Sequence, residues 1–80
     1  GARLVPIRPV FEATGGSVTW DAANKLVRAV DAEHDVTLRP GSALAVVDSE
    51  QVTMDAPAVI KQGRTLVAET FVTETLGMAQ

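Results

Sequence analysis

The chain has 80 residues, no cysteine and a formal net charge of −3, with 46% hydrophobic and 21% charged residues. This composition excludes a disulfide scaffold and a disordered chain, and a domain this small buries only about 60 to 65% of its unfolded surface, so oligomerisation or neighbouring domains would add stability. The seven Lys and Arg residues are scattered and no apolar run is long enough to span a bilayer, so nucleic acid and membrane insertion are not expected.

The first element predicted is a short extended lead that runs into a helix. Leu4 begins the lead, Pro6 suits a first helical position, and Gly15 suits the left-handed stop after the last turn. A helix here would place an apolar face toward the core, formed by Ile7, Val10, Phe11 and Thr14.

Strands dominate the middle of the chain. Alternating or β-branched apolar residues, separated by turn-forming residues, predict strands at 17–20, 26–31, 36–39, 44–47 and 51–55. The short connections, such as Asp48-Ser49-Glu50, favour an antiparallel meander.

The end of the chain resembles its beginning. A short apolar segment at 58–60 and a turn at 61–63 precede a second lead and a second helix at about 68–76, with Gly77 as its stop. The predicted fold class is therefore α+β: an antiparallel sheet of about five short strands, packed against two short equivalent helices near the two ends.

The likeness of the two ends is an internal repeat. Residues 1–18 (the first repeat) and 63–80 (the second repeat) align without gaps, and chance predicts about one identity over such a length. The identical pairs are Gly1/Gly63, Leu4/Leu66, Val5/Val67, Val10/Val72, Glu12/Glu74 and Gly15/Gly77. We interpret residues 1–80 as one module whose repeated ends direct the functional question toward assembly.

Several motifs in order resemble the bacterial copper amine oxidase N-terminal-like, or stalk, domain family. They are Leu-Val-Pro-Ile-Arg at 4–8, Val-Thr-Trp-Asp at 18–21, Asp-Ala-Pro at 55–57 and Gly-Arg-Thr-Leu-Val at 63–67. The second repeat departs from the pattern, with Ala68 and Thr70 in place of Pro and Arg. The resemblance implies an extracellular or cell-surface module that has no catalytic residues, no cofactor and no copper site of its own.

Few residues have the chemistry of an active or metal site. Asp31, Glu33, His34 and Asp35 are of metal-ligand types, but one histidine without ligand spacing favours a solvated hairpin end. No nucleophile motif accompanies His34, so we predict no catalytic, cofactor or metal residue and expect that the protein is not an enzyme. Trp20 is interpreted as a core residue in preference to a stacking platform.

Three functions remain, in decreasing order of preference. The first is a structural module, either a spacer in a surface protein or a subunit that polymerises head-to-tail through strand complementation; its partners are then copies of itself or neighbouring domains. The residues predicted to take part in assembly are Leu4, Val5, Val18, Trp20, Leu66, Val67 and Phe71. The second is binding of polysaccharide or cell wall through Trp20, and the third is an enzyme or metal protein.

Overall fold

The computed structural model describes residues 3–78 and consists mainly of short antiparallel strands. One α-helix and one π-helical turn, Phe71–Thr75, accompany them. In chain order the other elements are β1 (Leu4–Pro6), α1 (Ile7–Glu12), β2 (Ser17–Asp21), β3 (Leu26–Val30), β4 (Asp35–Leu38), β5 (Leu44–Val47), β6 (Glu50–Thr53), β7 (Val59–Lys61) and β8 (Arg64–Ala68). No helix within residues 3–78 is long and apolar enough to cross a membrane.

The middle of the chain forms the larger sheet. Its five strands follow one another in the order β2-β3-β4-β5-β6, and every neighbouring pair is antiparallel. Alternation in the sequence determines its inner face, where Val27, Leu38 and Ala45 are buried. The predicted five-stranded meander is confirmed, with strand ends that differ by one or two residues.

The two leads form a second, smaller sheet, which the sequence did not predict. Its order is β1-β8-β7, with both pairs antiparallel. β7 and β8 are joined by a two-residue turn in which Gln62 and Gly63 both have positive φ, 53° and 75°, as a tight hairpin turn requires. β1 and β7 have three residues each, too few for alternation to indicate a strand.

The two predicted helices are not equivalent: the first forms α1, whereas the second is a helical segment at 69–75 that consists mainly of a π-helical turn. The predicted helix at 68–76 begins in β8, because Ala68 pairs with Leu4 and the Glu69 N–H donates to the Arg3 carbonyl at 2.7 Å. Residues 69–75 are helical, with Phe71–Thr75 in a widened π-helical turn that is closed by the Leu76 N–H bonded to the Phe71 carbonyl at 3.0 Å. Strand pairing across the chain therefore takes the first residue of the predicted helix into β8, and the helical segment begins one residue later.

The hydrophobic core lies where the helical segments meet the sheets. Its largest fully buried side chains include Phe11, Phe71 and Ile7, and every charged or polar residue among 3–78, counted with its backbone, keeps part of its surface exposed. Gly16 lets the chain pass close to the end of β3, since a Cβ there would lie 2.2 Å from the Val30 carbonyl oxygen. The fold thus depends on apolar packing and on one close backbone approach.

Candidate assembly edges

The two repeats pair with each other through a local twofold axis. Val5 lies opposite Val67, Leu4 opposite Ala68, and Pro6 opposite Leu66. In the alignment of the repeats Leu66 matches Leu4 and Ala68 matches Pro6, so exchanging β1 and β8 reproduces the same pairing. The axis passes between Val5 and Val67, which are 5% and 0% exposed.

The symmetry weakens beyond the paired strands. The glycines that end the two helical segments keep the same left-handed backbone, with φ of 81° at Gly15 and 67° at Gly77. The segment between the paired strand and this glycine differs in the two repeats, because the first repeat forms α1 and the second forms a π-helical turn. Residues 1, 2, 79 and 80 of the repeats, including the matched Gly1, lie outside the described residues.

The outer edge of β1, on the side away from β8, is an open strand edge within residues 3–78. Residues along an antiparallel pair alternate between bonding across the pair and pointing away from it. Because the Glu69 N–H bonds to the Arg3 carbonyl, Arg3 and Val5 face β8, and the N–H and C=O of Leu4 point outward. The Leu4 side chain is also 36% exposed, so this edge presents both main-chain groups and apolar surface.

A second open edge belongs to β2, which pairs only with β3 among the described strands. Trp20 lies opposite Val27 and shares its face of the sheet, yet Val27 is 2% exposed and Trp20 is 50% exposed. The interpretation of Trp20 as a core residue is therefore wrong. Its indole borders a groove of about 380 Å³, which is also lined by Arg8, Ile60 and Thr65.

The other residues predicted to take part in assembly lie inside the molecule. Val5, Val18, Val67 and Phe71 are buried in the core, and Leu66 is half-buried beside its strand partner Val59. These side chains pack inside the molecule, so they can contribute to assembly only by holding the strands in position. Leu4 and Trp20 are the two predicted residues whose side chains are exposed at strand edges.

The cluster of Asp31, Glu33, His34 and Asp35 contains a hydrogen-bonded link between the two repeats. The Asp31 carboxylate accepts bonds from the Thr14 hydroxyl at 2.6 Å, the Glu33 N–H at 2.8 Å and the His34 N–H at 2.7 Å. The His34 ring contacts Asp31 through Nδ1 at 3.0 Å and the Leu76 carbonyl through Nε2 at 2.9 Å. Thr14 follows α1 and Leu76 follows the π-helical turn, so Asp31 and His34 link the ends of the two helical segments.

These contacts shift the pKa values of both titratable groups. The Thr14 hydroxyl, followed by the Glu33 and His34 donors, lowers the pKa of Asp31 from 3.8 to about 2, against the opposing effect of burial. Burial opposes the charge of His34 most strongly, but the bonds to Asp31 and Leu76 outweigh it and raise the His34 pKa above 6.5. Both ring nitrogens face acceptors, an arrangement that suits the doubly protonated imidazolium.

The other two members of the cluster do not join this network through their side chains. Glu33 is exposed, and Asp35 forms an ion pair with Arg28 at 2.8 Å. Among residues 3–78 no three His, Cys, Asp or Glu side chains lie close enough together to hold a metal ion. The arrangement is that of a structural hydrogen-bond network at a hairpin end.

Two antiparallel sheets around one short helix define a small β-rich module. The family model described as "Copper amine oxidase N-terminal domain" matches residues 1–80, and the chain belongs to that family. The chain is also similar to the protein "Primary amine oxidase" of Klebsiella aerogenes, with 26% identity over 73 residues. That match covers 91% of this chain and 10% of the oxidase, so the chain spans about a tenth of the length of this relative.

The family is named after a copper enzyme, so the side chains that could bind copper are of interest. Histidine is the commonest nitrogen ligand for copper, and this chain has one, whose ring nitrogens are both engaged by Asp31 and Leu76. The chain has no cysteine. The residues therefore do not fit a copper site.

Proposed function

We propose that this chain is a non-catalytic structural module of an extracellular or cell-surface assembly, as a spacer or as a repeating subunit. It joins its neighbours by adding strands at open sheet edges. Membership of a family that is described as the N-terminal domain of a larger oxidase supports an accessory role. The single histidine of the chain, held in a structural network, supports a role other than catalysis.

The outer edge of β1 is the observation that carries this proposal. Proteins commonly protect an edge strand with charge, proline or a covering element, since an open edge pairs readily with another chain. On β1 Pro6 offers no N–H, so Leu4 is the residue of the strand that offers both a donor and an acceptor. At Leu4 the outward main-chain groups are accompanied by an exposed apolar side chain. An added strand would satisfy those groups and cover that side chain, as in known cases of recognition by strand addition.

Sedimentation velocity over a concentration series, with negative-stain microscopy of the same samples, tests this function. We expect the parent chain to form oligomers or fibres, and Leu4→Lys to weaken their formation by placing a charge at the edge. Leu44→Lys is the matched control, because Leu44 is 48% exposed but lies on β5, which is paired on both sides. Association that is equally sensitive to both variants, or insensitive to Leu4→Lys, would contradict joining at this edge.

The extracellular location is tested separately. Antibody labelling of intact source cells, compared with permeabilised cells, is expected to detect the protein at the surface. Labelling only after permeabilisation would contradict that part of the proposal.

Binding of polysaccharide is a second candidate, favoured by the exposure of Trp20. An exposed indole can stack on a sugar ring, and the groove beside it carries polar groups from Arg8 and Thr65. Titration with soluble cell-wall polysaccharide, followed by Trp20 fluorescence, tests it. Saturable change with the parent chain, and loss of retention on insoluble polysaccharide for Trp20→Ala, would support this candidate; no change would dismiss it.

A further inference from the structure

The local twofold axis predicts what the outer edge of β1 binds. The axis exchanges β1 with β8, so the place that β7 occupies beside β8 has an image beside β1. On β8, Val59 of β7 lies opposite Leu66, and Leu66 matches Leu4 in the repeat. The image of Val59 therefore falls opposite Leu4, the residue whose main-chain groups point outward.

We propose that the outer edge of β1 receives an antiparallel strand from a neighbouring module, and that this strand matches residues 59–61 in sequence. This inference rests on the proposed function, in which modules join by strand addition, and it specifies the edge, the partner and the register. The residue that matches Val59 lies opposite Leu4, and the residue that matches Ile60 lies opposite Arg3.

The exposure of matched residues supports this edge as the place where a strand is added. Val5 and Val67, on the axis, are both buried, so the environments of the two repeats agree there. Leu66 is half-buried beside β7, whereas Leu4 is 36% exposed. Among residues 3–78 a strand lies beside Leu66 and none lies on the outer side of Leu4, which accounts for the difference between these two matched leucines.

The charges agree with the proposed register. The Arg3 side chain is 74% exposed and forms an ion pair with Glu69 at 3.5 Å, so it remains at the surface of the sheet. The proposed register places an apolar residue, the match of Ile60, opposite Arg3. The match of Lys61 falls one position further along, which avoids two cations directly opposite each other on adjacent strands.

The test uses the whole chain with one added segment. Residues 55–62 are copied and fused directly before Gly1, which matches Gly63, so that the fusion reproduces the sequence of the β7–β8 turn. The control is the same fusion with Val59→Pro in the copied segment: proline lacks the N–H that would donate to the Leu4 carbonyl, and its ring occupies the place of that hydrogen, so the strand does not pair at Leu4. The exchange rate of the Leu4 amide is measured by NMR in the parent and both fusions.

We expect the Leu4 amide of the first fusion to exchange about fivefold or more slowly than in the parent, the factor that one net hydrogen bond supplies. The melting temperature of that fusion should also rise, and the proline control should behave as the parent does. Unchanged exchange at Leu4 in the first fusion would overturn the inference. Equal protection of the Leu4 amide in the proline control would also overturn the inference, because the protection would then not depend on strand pairing.

A parallel sedimentation run separates this inference from the proposed function. If Leu4 is protected in the fusion while the parent chain stays monomeric at high concentration, the edge assignment stands and self-assembly of this chain fails. If the parent associates while Leu4 is unprotected in the fusion, assembly stands and the edge assignment fails.

Discussion

Replacing Asp31 with asparagine should remove a defined part of the acid dependence of stability. The Asp31 side chain is 4% exposed, so solvent screens its interactions little. Its pKa is lowered from 3.8 to about 2, which corresponds to about 2 kcal/mol of stabilisation, at roughly 1.4 kcal/mol per pKa unit. Because the folded-state pKa lies below the unfolded one, this stabilisation is complete above about pH 4 and is lost as the pH falls toward 2.

His34 gives the opposite dependence at higher pH. Its pKa is raised in the folded protein, so its stabilisation is present below pH 6.5 and is lost as the pH rises through the folded-state value. Much of that effect comes from Asp31, whose charge Asp31→Asn removes. The difference in unfolding free energy between parent and Asp31→Asn should therefore be largest between about pH 4 and pH 6.5.

Urea unfolding followed by far-UV circular dichroism, at steps from about pH 2 to 8, measures this difference, since the protonation of groups that change pKa on folding sets the pH dependence of stability. We expect the difference to shrink by about 2 kcal/mol as the pH falls from 5 to 2. Asp21→Asn is the matched control, because the pKa of Asp21 is also lowered, chiefly by Asn24, but its side chain is exposed and screened. A difference between parent and Asp31→Asn that does not vary with pH would refute the reasoning.

Three further predictions concern packing and exposure. Phe71→Ala should lower the unfolding free energy by about 3 to 5 kcal/mol in urea titrations, since Phe71 is 1% exposed; a loss below about 1 kcal/mol, as for a surface change, would contradict its place in the core. Gly16→Ala should destabilise by about 1 to 3 kcal/mol, measured as a lower melting temperature, because its Cβ would meet the Val30 carbonyl oxygen; an unchanged melting temperature would count against that close approach. Trp20, half exposed, should be readily quenched by acrylamide in the folded protein, whereas blue-shifted, poorly quenched emission would show that it is buried.

The larger sheet could be predicted because its strands carry their own pattern. Every second residue of β3 and β4 is buried: Val27 and Ala29 on β3, and Val36 and Leu38 on β4. The smaller sheet has no such local signal. Leu4 and Ala68 are brought together by pairing between the two ends of the chain, and that pairing converts the start of a predicted helix into strand.

The candidate site was predictable only in part for a related reason. The sequence alignment of the repeats identifies Leu4 and Leu66 as equivalents, but it does not say whether the repeats pair, or about which residue. The register that centres on Val5 and Val67 is a property of the folded sheet. Trp20 was misjudged because a large apolar residue on the inner face of a strand is usually covered, whereas at this sheet edge it is not.

Amide hydrogen exchange of the parent chain, at low and high concentration, tests the central claim of joining at strand edges most directly. We expect association to slow exchange at Leu4, while amides of the central strands, such as those of Ala29 and Val36, exchange equally in both samples. A concentrated sample that associates without protecting Leu4 would contradict joining at this edge, and one that stays monomeric would contradict self-assembly of this chain.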